Sequence, residues 1–249
     1  MNTIYTCGIK INPMTVEEIL SQVNQWVSEG RKNIQMTGVN ARQIAFLEKD
    51  KEFSSYINSS DIVNIDGTIV YLYLKLKGYK VKQKTLCADI LYRFLEDANE
   101  KGDSIYLLGA APDIVGKVAI NLKKQYPNIS IVGIQDGYFK DEKAIVEDIK
   151  AKSPKYLFLG MPSPMKERFV TTYRNELNAT VNFGVGGMFD IIAGKSSRAP
   201  HWVQRYGLEW FYRITQNPIG HTKRVFWVLL PCLRMFFKDL FKPKKQIIS

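Results

Sequence analysis

The chain has 249 residues, 45% of them hydrophobic, with 35 Lys and Arg against 24 Asp and Glu. That length suits one α/β domain, or one domain with an appendage, and the composition excludes a disordered chain. Three cysteines, Cys7, Cys87 and Cys232, are odd in number and widely spaced; no disulfide framework or zinc spacing fits them, which points to a reducing cytoplasm.

The net charge of +11 is unevenly spread. Residues 195–249 hold eleven Lys and Arg against Glu209 and Asp239, a balance of +9, so the first 194 residues balance at +2. An anionic partner is expected at the C-terminal end. The opening MNTIYTCGIKINPMT lacks a charged lead into an apolar core, so no signal peptide is expected.

Taken in order, Asn12 to Gly30 predicts a first helix, with Thr15 as its cap and Glu17 and Glu18 in its first turn. Lys32 to Met36 predicts a strand, Thr37-Gly38-Val39-Asn40 a turn, and Ala41 to Asp50 a helix. Asp61 to Ile65 is an apolar strand ending at Asp66-Gly67, followed by helices over Thr68 to Lys77 and Asp89 to Lys101. Ser104 to Leu108 is a strand, and Pro112 suits the first turn of a helix running to Gln125. Strands over Ile129 to Ile134, Lys155 to Gly160 and Thr180 to Val185 alternate with helices over Asp141 to Lys152 and, after a connection over Met161 to Pro164, through Leu177.

This alternation predicts an α/β fold: a Rossmann-like, mostly parallel sheet with helices on both faces, over residues 1–194. Residues 195–249 are expected to form a basic, aromatic, helical C-terminal appendage. Ligands of such sheets sit beyond the carboxyl ends of the strands. Asn40, Asp66, Gly109, Tyr138 and Gly186 all fall just after a predicted strand.

The appendage carries ten of the thirty aromatic residues and three of the four tryptophans. Over His221 to Phe241 a helical reading lines up Phe226, Leu229, Leu230, Leu233, Phe237, Leu240 and Phe241, with Arg224, Arg234, Lys238 and Lys242 elsewhere. The longest apolar run, Val225 to Leu233, is nine residues and contains Pro231, too short to cross a bilayer. An amphipathic cationic helix lies in the interface of an anionic membrane. The same face also fits the protein's own core or a second subunit, as in a homo-oligomer. Pro231 is expected to kink or divide the helix. No nucleic-acid-binding motif accompanies the basic residues.

The densest stretch of motifs runs from Gly184 to Trp210, GVGGMFDIIAGKSSRAPHWVQRYGLEW. Glycines 184, 186 and 187 allow close approach of backbone to a ligand, and a helix from Met188 would turn free N–H groups toward an anion. The combination GVGGxFD, AGK, RAPxW and GLEWxxR resembles the WecG/TagA/CpsF glycosyltransferases, glycosyltransferase family 26. The resemblance extends from about Thr37 to Arg224. It implies transfer of a sugar from a UDP-sugar donor to a polyprenyl-diphosphate-linked acceptor in bacterial surface-polymer synthesis, at the inner face of the cell membrane.

Sugar transfer needs a base for the acceptor hydroxyl and positive charge for the departing diphosphate. No Asp-x-Asp occurs in the chain, and His201 and His221 make no ligand spacing with carboxylates. A metal-independent, cofactor-free mechanism is expected, with Arg and Lys supplying the charge.

The resemblance makes Asp66 the base; the residues alone fit equally a cap on the helix from Thr68, a role that would lower its pKa. Asn40 matches the Asn after the family's first strand, whose usual Thr two places earlier is Gly38 here, with Thr37 adjacent. Lys84-Thr85-Leu86-Cys87-Ala88-Asp89 stands for Arg-x-x-Gly-x-Asp, and Pro164-Met165-Lys166-Glu167 for Pro-Lys-Gln-Glu, while Asn217-Pro218-Ile219-Gly220 replaces Glu-Pro-x-Arg.

Gly109, Ala110, Gly186, Gly187 and Asp190 are the expected nucleotide contacts, with Tyr138 beside them. Arg213, Lys223 and Arg224 are candidates for the diphosphate, or else form a solvated face. The reading that results is an inverting transferase moving N-acetylmannosamine onto undecaprenyl-diphosphate-linked N-acetylglucosamine, as in teichoic acid synthesis. Its rivals are the same fold with another UDP-sugar, a nicotinamide-dependent enzyme, and a non-catalytic scaffold. The nicotinamide reading wants Gly-x-Gly-x-x-Gly at the first strand–helix turn, and Thr37 to Asn40 has one glycine.

Overall fold

A computed structural model describes residues 1–50, 52–197 and 218–247, together with 199, 200, 203, 212 and 215. Six parallel strands form the central sheet: β3 (Ile34–Val39), β4 (Ile62–Ile65), β5 (Ser104–Gly109), β6 (Ser130–Gln135), β7 (Tyr156–Gly160) and β8 (Val181–Gly184). They lie in the order β4-β3-β8-β7-β5-β6, so the chain repeatedly crosses the sheet and leaves helices on both faces. The expected α/β architecture is what forms.

One face is covered by α1 (Val16–Ser28), α5 (Cys87–Lys101), α6 (Pro112–Gln125) and α9 (Met188–Ile192). The other face carries α7 (Glu142–Lys152) and α8 (Met165–Thr172) over one half. Over its other half lie α2 (Ala41–Lys49), α3 (Phe53–Ser59), α4 (Thr68–Leu76) and the long α10 (Pro218–Leu240). Most strand side chains are buried on both sides, as a sheet between two helical layers requires.

Local chemistry explains most boundaries. Thr15 caps α1 in a full capping box with Glu18. Asp141 caps α7, Pro112 opens α6, and Gly102 in the left-handed region ends α5.

Several expectations need correction. The predicted turn over Thr37–Asn40 is strand as far as Val39, because Thr37, Gly38 and Val39 continue the parallel ladder against Val63, Asn64 and Ile65. The helix predicted through Leu177 ends at Thr172. Pro231 does not divide α10, whose neighbouring turns are both held by packing: Val228 and Cys232 share one apolar cluster with α2 and α4.

A second, antiparallel sheet joins β1 (Thr3–Thr6), β2 (Ile9–Ile11) and β9 (Lys245–Ile247) in the order β2-β1-β9. The end of the basic tail is thus hydrogen-bonded to the start of the chain, with Thr3 opposite Ile247. The same connection is fixed inside the protein. Asp239 on α10 accepts hydrogen bonds from Thr6 Oγ1, Tyr73 OH and Lys77 Nζ, all buried. Lys77 Nζ also donates to the Asp239 carbonyl at 2.8 Å. Burial alone would raise the Asp239 carboxyl, but these donors outweigh it and hold it below the usual carboxylate range. Phe236 stacks on Tyr73 at 3.9 Å beside this cluster.

The two ends of the large sheet differ. At the amino ends, Asp61 receives Arg31, Arg174 and the Gln35 N–H, and Lys155 pairs with Asp103. At the carboxyl ends the backbone turns on glycines, and the ionisable groups are arranged around open backbone.

Candidate functional site

The register of the sheet builds the site. Val39 pairs with Ile65 in the β3–β4 ladder, so the next residues, Asn40 and Asp66, stand abreast as both strands end. Asn40 then opens α2: its Oδ1 accepts from the Arg42 N–H at 2.9 Å, and the Asn40 N–H donates to Gln43 Oε1 at 3.2 Å. With its carbonyl oxygen engaged, the amide turns Nδ2 outward, where it donates to Asp66 Oδ2 at 3.2 Å.

The other carboxylate oxygen, Oδ1, accepts from the Cys87 N–H at 2.6 Å, at the first turn of α5. Asp66 therefore does not cap α4, where Gly67 takes the cap position without a side-chain bond. Asp66 is half-buried, and desolvation pushes its pKa above the usual carboxylate value, against the bonds from Cys87 and Asn40 and the charge of Lys166. A carboxylate of raised pKa is a stronger proton acceptor, as a base acting near neutral pH requires.

Space for this arrangement comes from Gly38. A Cβ there would lie 2.3 Å from Cys87 Sγ and 2.7 Å from Asp66 Cβ. Gly67 has a similar reason, since its Cβ would meet Asn40 Cβ at 2.9 Å. Lys84, from the loop before α5, donates from Nζ to Thr68 Oγ1 at 3.1 Å and so sits at the start of α4, beside Asp66.

Beneath this edge lies a buried polar chain. Gln43 Nε2 donates to Ser163 Oγ at 3.0 Å, and Ser163 Oγ donates to Glu167 Oε1 at 2.8 Å. Lys166 Nζ donates to both Ser163 and Glu167, and Thr37 Oγ1 donates to Glu167 at 3.3 Å. The aliphatic stem of Lys166 lies against Gly184, where a Cβ would be 2.8 Å away. Lys166 and Thr37 are thus built into the layer under the edge, with their polar atoms directed to Glu167.

The turn after β8 is open. Gly186 has φ +53°, and at both Gly186 and Gly187 a Cβ would meet nothing within 4 Å. Continuing the Met36–Phe183 register brings this turn level with Val39 and Asn40. It is two strands from Asp66, about 10 Å at the usual strand spacing. Asp190 follows in the first turn of α9, half-exposed, with Lys195 Nζ 3.6 Å from its Oδ1.

Gly109 and Ala110 end β5 with φ of +130° and +59°. Gly109 packs directly on Gly160, and the Ala110 carbonyl accepts from the Gly137 N–H at 2.8 Å. Tyr138, 76% exposed, follows the edge strand β6, five strands from Asp66 and about 24 Å along the edge. The fold therefore gathers Asn40, Asp66, Lys84, Gly186 and Gly187 at one half of the carboxyl edge, and sets Gly109, Ala110 and Tyr138 along the other. Arg213 lies outside the described residues, as do the side chains of Lys223 and Arg224.

Sequence reading passed over Gln43 and Ser163, and gave Cys87 and Glu167, seen only as members of motifs, no role at the site. Gln43 had a signal, since Asn40-x-x-Gln43 is a capping-box spacing. A surface depression of about 490 Å³ lies on the flank between α1, α5 and α6, lined by Glu17, Arg93 and Tyr126, and holds none of the expected site residues. Among the described residues no three His, Cys, Asp or Glu gather as metal ligands, and no helix is long and apolar enough to cross a membrane.

Two curated relatives carry the name N-acetylglucosaminyldiphosphoundecaprenol N-acetyl-beta-D-mannosaminyltransferase. The one from Bacillus subtilis (strain 168) is 34% identical over 177 residues, covering 71% of this chain and 69% of its own length. That from Bacillus spizizenii is 31% identical over 170 residues, covering 68% and 66%. The match to a family description, Glycosyl transferase WecG/TagA/CpsF family, spans residues 4–246. With that match over nearly the whole chain, this protein belongs to the WecG/TagA/CpsF family of glycosyltransferases.

Proposed function

We propose that this chain transfers N-acetylmannosamine from a UDP-sugar to an undecaprenyl-diphosphate-linked N-acetylglucosamine, with inversion and without a metal ion. The observation that carries the reading is Asp66. It stands at the carboxyl edge of the sheet, its two oxygens oriented by Cys87 N–H and Asn40 Nδ2, its pKa raised by burial. Each oxygen keeps acceptor capacity for a substrate proton.

In the proposed reaction the acceptor hydroxyl oxygen attacks the anomeric carbon from the face opposite UDP. Asp66 takes the hydroxyl proton as the new C–O bond forms. The bond from the anomeric carbon to the diphosphate breaks, and UDP leaves with the electron pair, so the configuration inverts. The charge on the departing diphosphate is met by Lys84 and by basic residues of the 195–249 segment, Arg213, Lys223 and Arg224, in place of the Asp-x-Asp metal site that the chain lacks. Gly186, Gly187, Asp190, Gly109 and Ala110 line the donor's path, and Tyr138 extends it. Residues 1–194 act as the catalytic body and residues 195–249 as the appendage that works at the inner membrane face, where the lipid-linked acceptor resides.

The test is a panel of UDP-sugars with a short-chain lipid-diphosphate N-acetylglucosamine acceptor, with and without a chelator. UDP-N-acetylmannosamine is expected to be the preferred donor, with turnover unaffected by chelation. Asp66→Asn should cut turnover by about 10²–10⁴-fold with folding intact. Full activity of that variant, or a protein whose stability no uridine nucleotide changes, would end the proposal. Because Cys232, Phe236 and Asp239 are built into the core, the appendage is better probed by point substitution than by deletion.

A further inference from the structure

We propose that the outward flanks of α4 and α10 together form the surface by which this chain docks on an anionic lipid bilayer, with α4 leading from that surface to Asp66. The inference rests on the reading of a lipid-linked acceptor and adds to it a second helix and a route.

The two helices lie side by side. Tyr73 of α4 stacks on Phe236 of α10 with the rings 4° from parallel, and Lys77 is joined to Asp239 just beyond. At 100° per residue, Leu72 and Leu76 fall on the α4 flank next to Tyr73, away from the buried Val70 and Leu74. Both are exposed, Leu72 by 57% and Leu76 by 74%. On α10 the same construction puts Leu233 and Phe237 on the flank next to Phe236, away from the buried Cys232 and Asp239, and Phe241, in the turn just past the helix, packs edge-on against Phe237 at 5.4 Å. These three are 51%, 67% and 77% exposed. The two apolar flanks therefore meet along the Tyr73–Phe236 seam and form one patch. Exposed apolar surface of this kind marks a docking site.

Charge selects the occupant. Lys75, Lys80, Lys242 and Lys244 surround the patch and are exposed, while Lys238, also exposed, is paired with Glu48 of α2 at 3.4 Å. Residues 68–80 contain no acid, and the only acid in 227–247 is Asp239, buried against Lys77. A rim of lysines around leucine and phenylalanine matches anionic headgroups over acyl chains. A protein partner would need an acidic rim of its own, and a second copy of this chain would set lysine against lysine.

The placement of α4 gives the patch its purpose. The helix starts at Thr68, two residues after Asp66. At 1.5 Å per residue, Leu72 lies about 6 Å and Leu76 about 12 Å along the axis from that start. Docking by this face therefore keeps the Asp66 end of α4 within roughly 12 Å, measured along the helix, of the residues that meet the membrane, within reach of the diphosphate of a lipid-linked acceptor.

The experiment uses the full chain and two sets of vesicles, phosphatidylcholine alone and phosphatidylcholine with phosphatidylglycerol. The double variant Leu72→Glu/Leu76→Glu is compared with Ile120→Glu, an exposed residue of α6 on the opposite layer. The double variant should weaken binding to anionic vesicles by on the order of tenfold or more per leucine. It should also lose turnover on vesicle-borne acceptor while keeping turnover on a water-soluble short-chain acceptor. Ile120→Glu should bind as the parent does.

Parent-like binding by the double variant, equal binding of the parent to neutral vesicles, or a change of oligomeric state with vesicle binding kept would each overturn the proposal. No turnover on any soluble acceptor, with vesicle binding lost as described, would refute the transferase reading and leave the docking surface standing.

Discussion

Adding a single methyl group at Gly38 tests how tightly the fold packs around Asp66. In Gly38→Ala the new Cβ would lie 2.3 Å from Cys87 Sγ, 2.7 Å from Asp66 Cβ and 3.2 Å from Asn64 Nδ2. Nonbonded carbon pairs settle at about 3.5–4.0 Å, so the sulfur and the carboxylate must each retreat by roughly an ångström. Overpacking of this kind costs about 1–3 kcal/mol, partly offset by the stiffer backbone of alanine in a strand. For a chain of this size that corresponds to a fall in Tm of roughly 2–10 °C. The displaced carboxylate should lower kcat by about 10²-fold, because ångström errors in a reacting group have that scale.

The companion change Cys87→Ala removes the nearer obstacle. Combined with Gly38→Ala it should restore part of the lost stability, giving a coupling energy of about 0.5–3 kcal/mol in a double-mutant cycle. Restoration should be incomplete, since the Asp66 contact remains. Thermal melts and steady-state kinetics on the four proteins measure both quantities. A Gly38→Ala protein as stable and active as the parent, or a coupling indistinguishable from zero, would refute the claim that these positions share one space.

Two further outcomes follow from charge. Lys77→Met leaves the Asp239 carboxylate buried with only Thr6 and Tyr73 as side-chain donors, and should cost about 3–5 kcal/mol, or roughly 6–20 °C in Tm. Because Asp239 is depressed in the fold, its contribution is complete above the unfolded carboxylate pKa and is lost as pH falls through the folded value. Denaturant titrations across acidic pH should show that loss in the parent and a much smaller one in Lys77→Met. Asp66 has the opposite sign: its pKa is raised, so the fold binds its proton more tightly and stability falls as pH rises through the window above the unfolded value. Asp66→Asn should abolish that decline and be at least as stable as the parent at neutral pH. In the parent the acidic limb of kcat/KM should fall above the ordinary aspartate range, near 3.9.

The sheet was legible because each strand is a short apolar run and each intervening helix has its own cap or apolar period. What escaped notice is made of partners far apart in sequence. β9 is three residues long, and its ladder partner lies more than 230 residues earlier. FSSYINS, the sequence of α3, has too few apolar residues for a helical period to stand out. The tail read as an appendage by composition, yet its charge and aromatic content gave no sign that Asp239 would be drawn into a buried cluster with Thr6, Tyr73 and Lys77.

The departures from family pattern at Gly38 and Cys87 read as two unrelated changes in the sequence. In the fold the missing side chain at one position faces the sulfur of the other. The strand also explains why Thr37 does not stand in for a residue at 38. Adjacent strand residues point to opposite faces, so Thr37 meets Glu167 on α8 while position 38 faces Asp66 and Cys87.

The carboxyl edge offers other acids, and geometry separates them from Asp66. Asp136 spends its oxygens on its own turn, accepting from the Tyr138 N–H and from Gln135 Nε2. Asp190 is half-exposed on a helix of five residues, with Lys195 as its charged neighbour. Asp66 alone among these three is held by donors that belong to the starts of other helices, α5 through the Cys87 N–H and α2 through Asn40. Asn40 cannot turn its amide without surrendering the cap on α2, and Cys87 N–H cannot move without shifting α5. The proposed base is therefore aimed by a backbone N–H and a capping side chain that begin two helices, and its orientation is fixed before any substrate arrives. Preorganisation of that kind lets a carboxylate accept a proton without first rearranging its surroundings.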